Sequence, residues 1–268
     1  MTELEAFAID LARAASAATL PYFRGDHGST DKGADRIDPV TRADREAEAA
    51  MRQLIAERYP EHGVVGEEYG EDRPGAEHVW VLDPVDGTRA FVAGLPLWTT
   101  LIGLKVQGQP RIGVISQPYL GELFIGSPLG ARLLARGTER ALKTRPVSAL
   151  TEATIATTSP DIFTGAELGA WTQVRATARL TRYGCDAYAY AMLAAGHIDL
   201  VAESGLKPWD YTALIPIVVG ASGAVSNWRG EPVDGSGQIL AVGDERIRPQ
   251  ALVTLKRAAL SLDREYTT

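Results

Sequence analysis

Val79-Trp80-Val81-Leu82-Asp83-Pro84-Val85-Asp86-Gly87-Thr88 is the stretch from which the rest of this chain is read. Its four apolar residues have the length and the β-branched and aromatic content of a buried strand. Asp83 and Asp86 follow where that strand stops, with Pro84 holding the backbone between them. Ligands bind at strand ends in α/β folds. Two carboxylates and a backbone carbonyl are hard oxygen donors, the kind magnesium selects. Gly87 and Thr88 then open a helical turn whose N–H groups suit a phosphate. One short segment is therefore expected to hold a metal together with the anion it activates.

Upstream, residues 3–23 read as an amphipathic helix, with Leu4, Phe7, Ala8, Leu11, Ala14 and Ala15 at helical spacing and Pro21 near the end. Residues 25–39 are polar and rich in Gly and Asp, a loop expected to close over the site and to carry Lys32 and Asp38. A second helix is expected from Thr41 to Tyr59, stopped by Pro60, with a short strand at Gly63–Val65. Downstream, residues 98–136 break into short apolar runs split by turn residues, an antiparallel meander. Arg136–Pro146 reads as a polar linker. Strands near 153–158, 178–183, 198–202 and 239–242 then alternate with helices near 165–172, 186–195, 209–220 and 244–260, which indicates α/β layering. Pro216 is expected to kink the 209–220 helix.

A chain of 268 residues, 45% of them hydrophobic, can bury a sizeable core as one unit or two packed lobes. The lobes expected are 1–145, α+β, and 146–268, α/β. No apolar run approaches the roughly 20 residues a membrane helix needs. Charged residues at Glu3, Glu5, Asp10 and Arg13 do not fit a signal peptide. The single cysteine, Cys185, excludes an internal disulfide framework. Both features point to the cytoplasm. With a formal net charge of −7 and no basic stripe, nucleic-acid binding is not expected. The four histidines lack zinc-site spacing.

The segment Asp83–Thr88 resembles the signature of the inositol monophosphatase-like superfamily of magnesium-dependent, lithium-sensitive phosphatases. Two more stretches match in family order: Gly66-Glu67-Glu68-Tyr69-Gly70, and Lys207-Pro208-Trp209-Asp210-Tyr211-Thr212-Ala213 followed by an apolar segment and the turn residues Ala221-Ser222-Gly223 up to Ala224-Val225. The resemblance covers nearly the whole chain. It implies α+β and α/β parts stacked as α-β-α-β-α layers, two or three Mg²⁺ ions, a homodimer and a small-molecule phosphate ester as substrate.

Carried over residue by residue, the resemblance makes Glu67, Asp83, the Val85 carbonyl, Asp86 and Asp210 metal ligands. Glu67 also orients the attacking water. Asp44 partners that water, and the Thr88 hydroxyl pairs with Asp44 to polarise it. Gly87 and Thr88 hold phosphate. The plainer readings are a solvated loop acid for Glu67, a helix cap for Asp44 and an N-cap for Asp210. Phosphate monoesters hydrolyse very slowly unaided. The reaction implied is in-line attack of a metal-activated water, with no phosphoenzyme. Cys185 has no base beside it in sequence and reads as a packed thiol.

The substrate is read from the neighbours of these residues. Arg89-Ala90-Phe91, Gly94-Leu95-Pro96-Leu97-Trp98 and Tyr183-Gly184-Cys185-Asp186-Ala187-Tyr188-Ala189-Tyr190 are most similar to the histidinol-phosphate phosphatase branch, with Cys185 where that branch has glycine. Asp186 and Glu203, two acids apart from the metal set, suit a cationic amine. Their plainer readings are a helix N-cap for Asp186 and an exposed turn residue for Glu203. The function implied is hydrolysis of L-histidinol phosphate in histidine biosynthesis. An inositol-1-phosphatase or a broad sugar phosphatase acting on fructose 1,6-bisphosphate is the alternative. An inactive binding homologue would be expected to lack some of these acids.

Overall fold

The computed structural model describes residues 1–25, 30–31, 39–40 and 42–260. The expected contributions of Lys32, Asp38 and Thr41 lie outside the described residues. Helix α1 (Glu3–Thr19) starts on a capping box, in which the Thr2 hydroxyl oxygen accepts from the Glu5 N–H and the Glu5 carboxylate accepts from the Thr2 N–H. It ends before Pro21, which has no N–H to continue the ladder. The two-residue strands β1 (Thr30–Asp31) and β2 (Pro39–Val40) pair antiparallel. Helix α2 (Arg42–Arg58) lies against α1, and Ala47, Met51 and Ile55 share a core with Phe7, Ala8, Leu11 and Ala15.

These helices cover an eight-stranded sheet made of β3 (Gly63–Gly66), β4 (Gly70–Asp72), β5 (His78–Asp86), and, after the short α3 (Thr88–Val92), β6 (Thr99–Val106), β7 (Gln109–Gln117), β8 (Glu122–Ser127), β9 (Gly130–Ala135) and β10 (Thr138–Ala141). The strand order is β10-β9-β8-β7-β6-β5-β3-β4. Only β3 and β5 pair in parallel; the other neighbours are antiparallel. The expected meander is therefore present and one strand longer. Strand β10 falls inside the stretch expected to be a linker. Its four residues are all exposed, so no buried side chain marks it as a strand.

A five-stranded sheet follows, built from β11 (Thr154–Thr157), β12 (Leu180–Tyr183), β13 (Leu200–Glu203), β14 (Ala224–Ser226) and β15 (Ile239–Val242), in the order β12-β11-β13-β15-β14. Its helices are α4 (Ala166–Thr177), α5 (Tyr188–Ala194), α6 (Pro208–Tyr211), α7 (Leu214–Gly220) and α8 (Arg248–Leu255). Strand β14 starts where only turn residues were expected. Helices α5 and α7 lie between the sheets, their Leu193, Leu214 and Ile217 packed with Leu101, Ile115 and Phe124 on one side and Val201 and Ala241 on the other. Helices α4 and α8 cover the far face of the five-stranded sheet. The layers are thus α-β-α-β-α, as expected. No helix among the described residues is long and apolar enough to cross a membrane.

The expected 209–220 helix is two helices. The break comes at Thr212-Ala213, not at Pro216, which is the third residue of α7. At that position an N–H has no partner within the helix, so proline costs little. What lies beneath this segment is equally specific. Gly103, Gly113 and Gly126 are paired across β6, β7 and β8. A Cβ on Gly103 would stand 2.6 Å from Thr212 Cγ2, and one on Gly113 or Gly126 would collide with the backbone of Ala213 or Ile217. The row of missing side chains lets the α6–α7 backbone rest directly on the sheet.

Candidate active site

A regular strand would send Asp83 and Asp86 to opposite faces, because residues three apart differ in parity. Between the pairs Asp83–Leu101 and Asp86–Thr99, however, β5 spends three steps where β6 spends two. That extra residue is a bulge, and it restores both carboxylates to one side. The Thr100 hydroxyl secures the bulge by donating to the Pro84 carbonyl at 2.7 Å. Gly87 then turns the chain with φ +82°, a left-handed conformation that a side chain would strain. The Val85 side chain is buried with Phe91 and Trp98, as expected of a residue whose role is assigned to its carbonyl.

Asp210 arrives from the other sheet's side. It is the third residue of α6, not its N-cap, and its carboxylate accepts from the Lys207 N–H at 2.6 Å. One oxygen from each of Asp83, Asp86 and Asp210 can be chosen so that all three lie within 4.8 Å of one another. Asp83 is only 2% exposed, and its Oδ1 is buried without a hydrogen-bond partner. Burial, then Glu67, Asp86, Asp210 and Asp44, push its carboxyl well above the usual range. Asp86 is raised for the same leading reason, although its Oδ2 accepts from the Ala187 N–H at 2.8 Å. Burial carries Asp210 to about 6. An orphaned carboxylate oxygen amid mutually repelling acids fits a hard divalent cation, which would supply the missing charge and partner.

Glu67 and Asp44 stand near this trio without belonging to its tight group. Both act electrostatically on Asp83, Glu67 more strongly. Glu67 follows directly on β3, and its N–H donates to the Leu82 carbonyl at 3.2 Å. A residue passed over in sequence, Glu48, shapes that loop. Its buried carboxylate accepts from the N–H groups of Glu68 (2.8 Å) and Tyr69 (3.2 Å) and from Arg52 Nε (2.7 Å), occupying the space a Cβ on Gly66 would need. Asp44 is buried on the first turn of α2. The Thr88 hydroxyl donates to the Val85 carbonyl at 3.1 Å, closing the turn that follows the bulge.

Beyond the trio the cleft continues to the end of β13. Asp86, Thr158, Asp186, Tyr190, Glu203 and Asp210 line it. Glu203 is not an exposed turn residue. It is 2% exposed and accepts from the Thr158 N–H (2.7 Å), the Thr158 hydroxyl (3.1 Å) and the Thr157 hydroxyl (3.2 Å). Burial still raises its carboxyl to about 8. Asp186 is not a cap: α5 begins at Tyr188 with Ala187 as its N-cap, and Asp186 itself has φ +43°. Its Oδ2 sits 3.1 Å from where a Gly87 Cβ would be. Burial raises this carboxyl too, while the Thr158 hydroxyl and Arg89 pull it down. The Cys185 thiol is half-buried and pushed up by burial, in keeping with a packed thiol. Thr158 and Tyr190, which also line the cleft, were not singled out as site residues in sequence.

The sequence model of the Inositol monophosphatase family matches residues 1–259. The bifunctional phosphatase IMPL2, chloroplastic, of Arabidopsis thaliana is 41% identical over 269 residues, covering 95% of this chain and 76% of that protein. A histidinol-phosphatase of Chlorobaculum parvum is 36% identical over 246 residues, 87% of this chain and 90% of the relative. Among solved structures, an inositol monophosphatase from Zymomonas mobilis matches with a TM-score of 0.85 at 38% identity, covering 94% of this chain and 97% of that one.

Proposed function

Because this chain belongs to the inositol monophosphatase family, and so among phosphatases, we propose that it hydrolyses the phosphate ester of a cationic alcohol, L-histidinol phosphate, with Mg²⁺. The observation that carries the substrate is the lining of the cleft. Asp186 and Glu203 join Asp86 and Asp210 there, and no lysine, arginine or histidine is among the described lining residues. Such a pocket favours an ammonium group over a neutral polyol. The relatives named histidinol-phosphatase support the same reading.

In this reading Glu67, Asp83, the Val85 carbonyl, Asp86 and Asp210 hold the metal. Bound magnesium would neutralise the phosphoryl oxygens and acidify a water. Glu67 and Asp44 orient that water and accept its proton. The N–H groups of Gly87 and Thr88 donate to the phosphate, while Thr88, through Val85, keeps the turn closed. Asp186 and Glu203 take the ammonium of the leaving alcohol. A homodimer in the cytoplasm remains part of this reading.

An inositol-1-phosphatase is the second reading, favoured by the Zymomonas mobilis structure. Phosphate release from L-histidinol phosphate and inositol-1-phosphate, each with Mg²⁺ and with EDTA, separates the two. A strong Mg²⁺-dependent preference for histidinol phosphate is expected. An equal or higher kcat/KM for inositol-1-phosphate would remove the amine reading and keep the metal chemistry.

A further inference from the structure

Tyr190 sits on α5 with its side chain 2% exposed and its hydroxyl buried without a hydrogen-bond partner. Its residue lines the same cleft as Asp86, Glu203 and Asp210, the three carboxylates that act on the phenol. A buried hydroxyl is costly to leave unpaired, and native structures rarely do so without a reason. Bulk water does not reach this one, and its partner is left to whatever occupies the cleft.

The other donors nearby are already engaged. The N–H and hydroxyl of Thr158 go to Glu203, and the Ala187 N–H goes to Asp86. The Tyr190 hydroxyl, by contrast, holds a proton that no partner in the fold accepts. A cationic nitrogen cannot accept it; a neutral nitrogen or oxygen can.

We propose that Tyr190 is a specificity-determining residue, its hydroxyl donating to a neutral acceptor atom of a leaving alcohol whose ammonium lies against Asp186 and Glu203. This rests on the reading of the cleft as the leaving-group site of a phosphatase for cationic alcohols. It adds a requirement to that reading: the alcohol carries an acceptor, such as the unprotonated nitrogen of an imidazole, besides its amine.

Tyr190→Phe removes the hydroxyl and keeps the ring that packs between the sheets. The test compares wild type and variant on L-histidinol phosphate, ethanolamine phosphate and inositol-1-phosphate with Mg²⁺, with melting temperature as the control for folding. Ethanolamine phosphate has the same phosphate-to-ammonium spacing and lacks the acceptor ring. In the variant, kcat/KM for histidinol phosphate should fall about tenfold further than for ethanolamine phosphate, mainly through KM, the size of one lost hydrogen bond. Equal falls on both amines would overturn the proposal and make the hydroxyl a support for the carboxylates. No fall, with wild type still preferring histidinol phosphate, would overturn it and leave the proposed function standing. A wild type that prefers inositol-1-phosphate to both amines would overturn the two together.

Discussion

At the end of β5, Asp83 is buried with an oxygen that no donor reaches; at the end of β13, Glu203 is equally buried and receives three hydrogen bonds. Both are raised in pKa by burial. The difference lies in what completes them. Fixed dipoles of β11 and the turn after it complete Glu203, so it can stand as a wall of the cleft with or without a ligand. Asp83 faces other acids, and a bound cation would complete it. Burial alone does not tell what a carboxylate is for; its donors do.

The largest effect should follow from Asp83→Asn. Metal catalysis is worth several kcal/mol, so kcat should drop about a thousandfold or more, and Mg²⁺ should no longer raise the melting temperature. Retention of either property would place the metal elsewhere. Glu203→Gln should act differently. It keeps the shape and most of the hydrogen bonds, so the thermal response to Mg²⁺ should survive while kcat/KM for histidinol phosphate falls about ten- to a hundredfold, as for loss of a charged hydrogen bond. Loss of the Mg²⁺ response in this variant would erase the distinction between the two strand ends.

The smallest effect is on stability. In the unfolded chain Glu203 ionises near 4.5; in the metal-free fold it stays protonated up to about 8. Asp210 behaves alike between 3.8 and about 6. The folded state therefore binds more protons over this window, and stability must fall as pH rises through it. Melting temperatures in EDTA should decline from about pH 4.5 to 8, and Mg²⁺ should raise them most at the alkaline end. A flat EDTA profile would mean that these acids are not held protonated by the fold.

These two strand ends also differ in how far they can be read without a structure. Asp83 and Asp86 share six residues with a proline, a glycine and a threonine, so local pattern suffices to mark them. The bulge that turns them to one side is invisible in sequence, because its extra residue shows only against β6. Glu203 and Asp186 were placed by resemblance, and their plainer readings fail for separate physical reasons: Glu203 is buried and hydrogen-bonded by Thr157 and Thr158, far along the chain, and α5 starts after Asp186, at Tyr188. Strand β10, exposed on all four residues, carries no hydrophobic alternation to betray it. Tyr190 is one more aromatic on a helix until its hydroxyl is seen to lack a partner.

The glycines at 103, 113 and 126 bear on all of this, although none touches a carboxylate. They act as a gauge block. Asp210 comes within reach of Asp83 and Asp86 while Thr212 and Ala213, just beyond it, lie against a row of the sheet stripped of side chains. The spacing of the three acids is in this way set partly by atoms that are not there. Two chains with identical acids but different residues in that row would hold cages of different width, and a comparison confined to the acids would judge them the same.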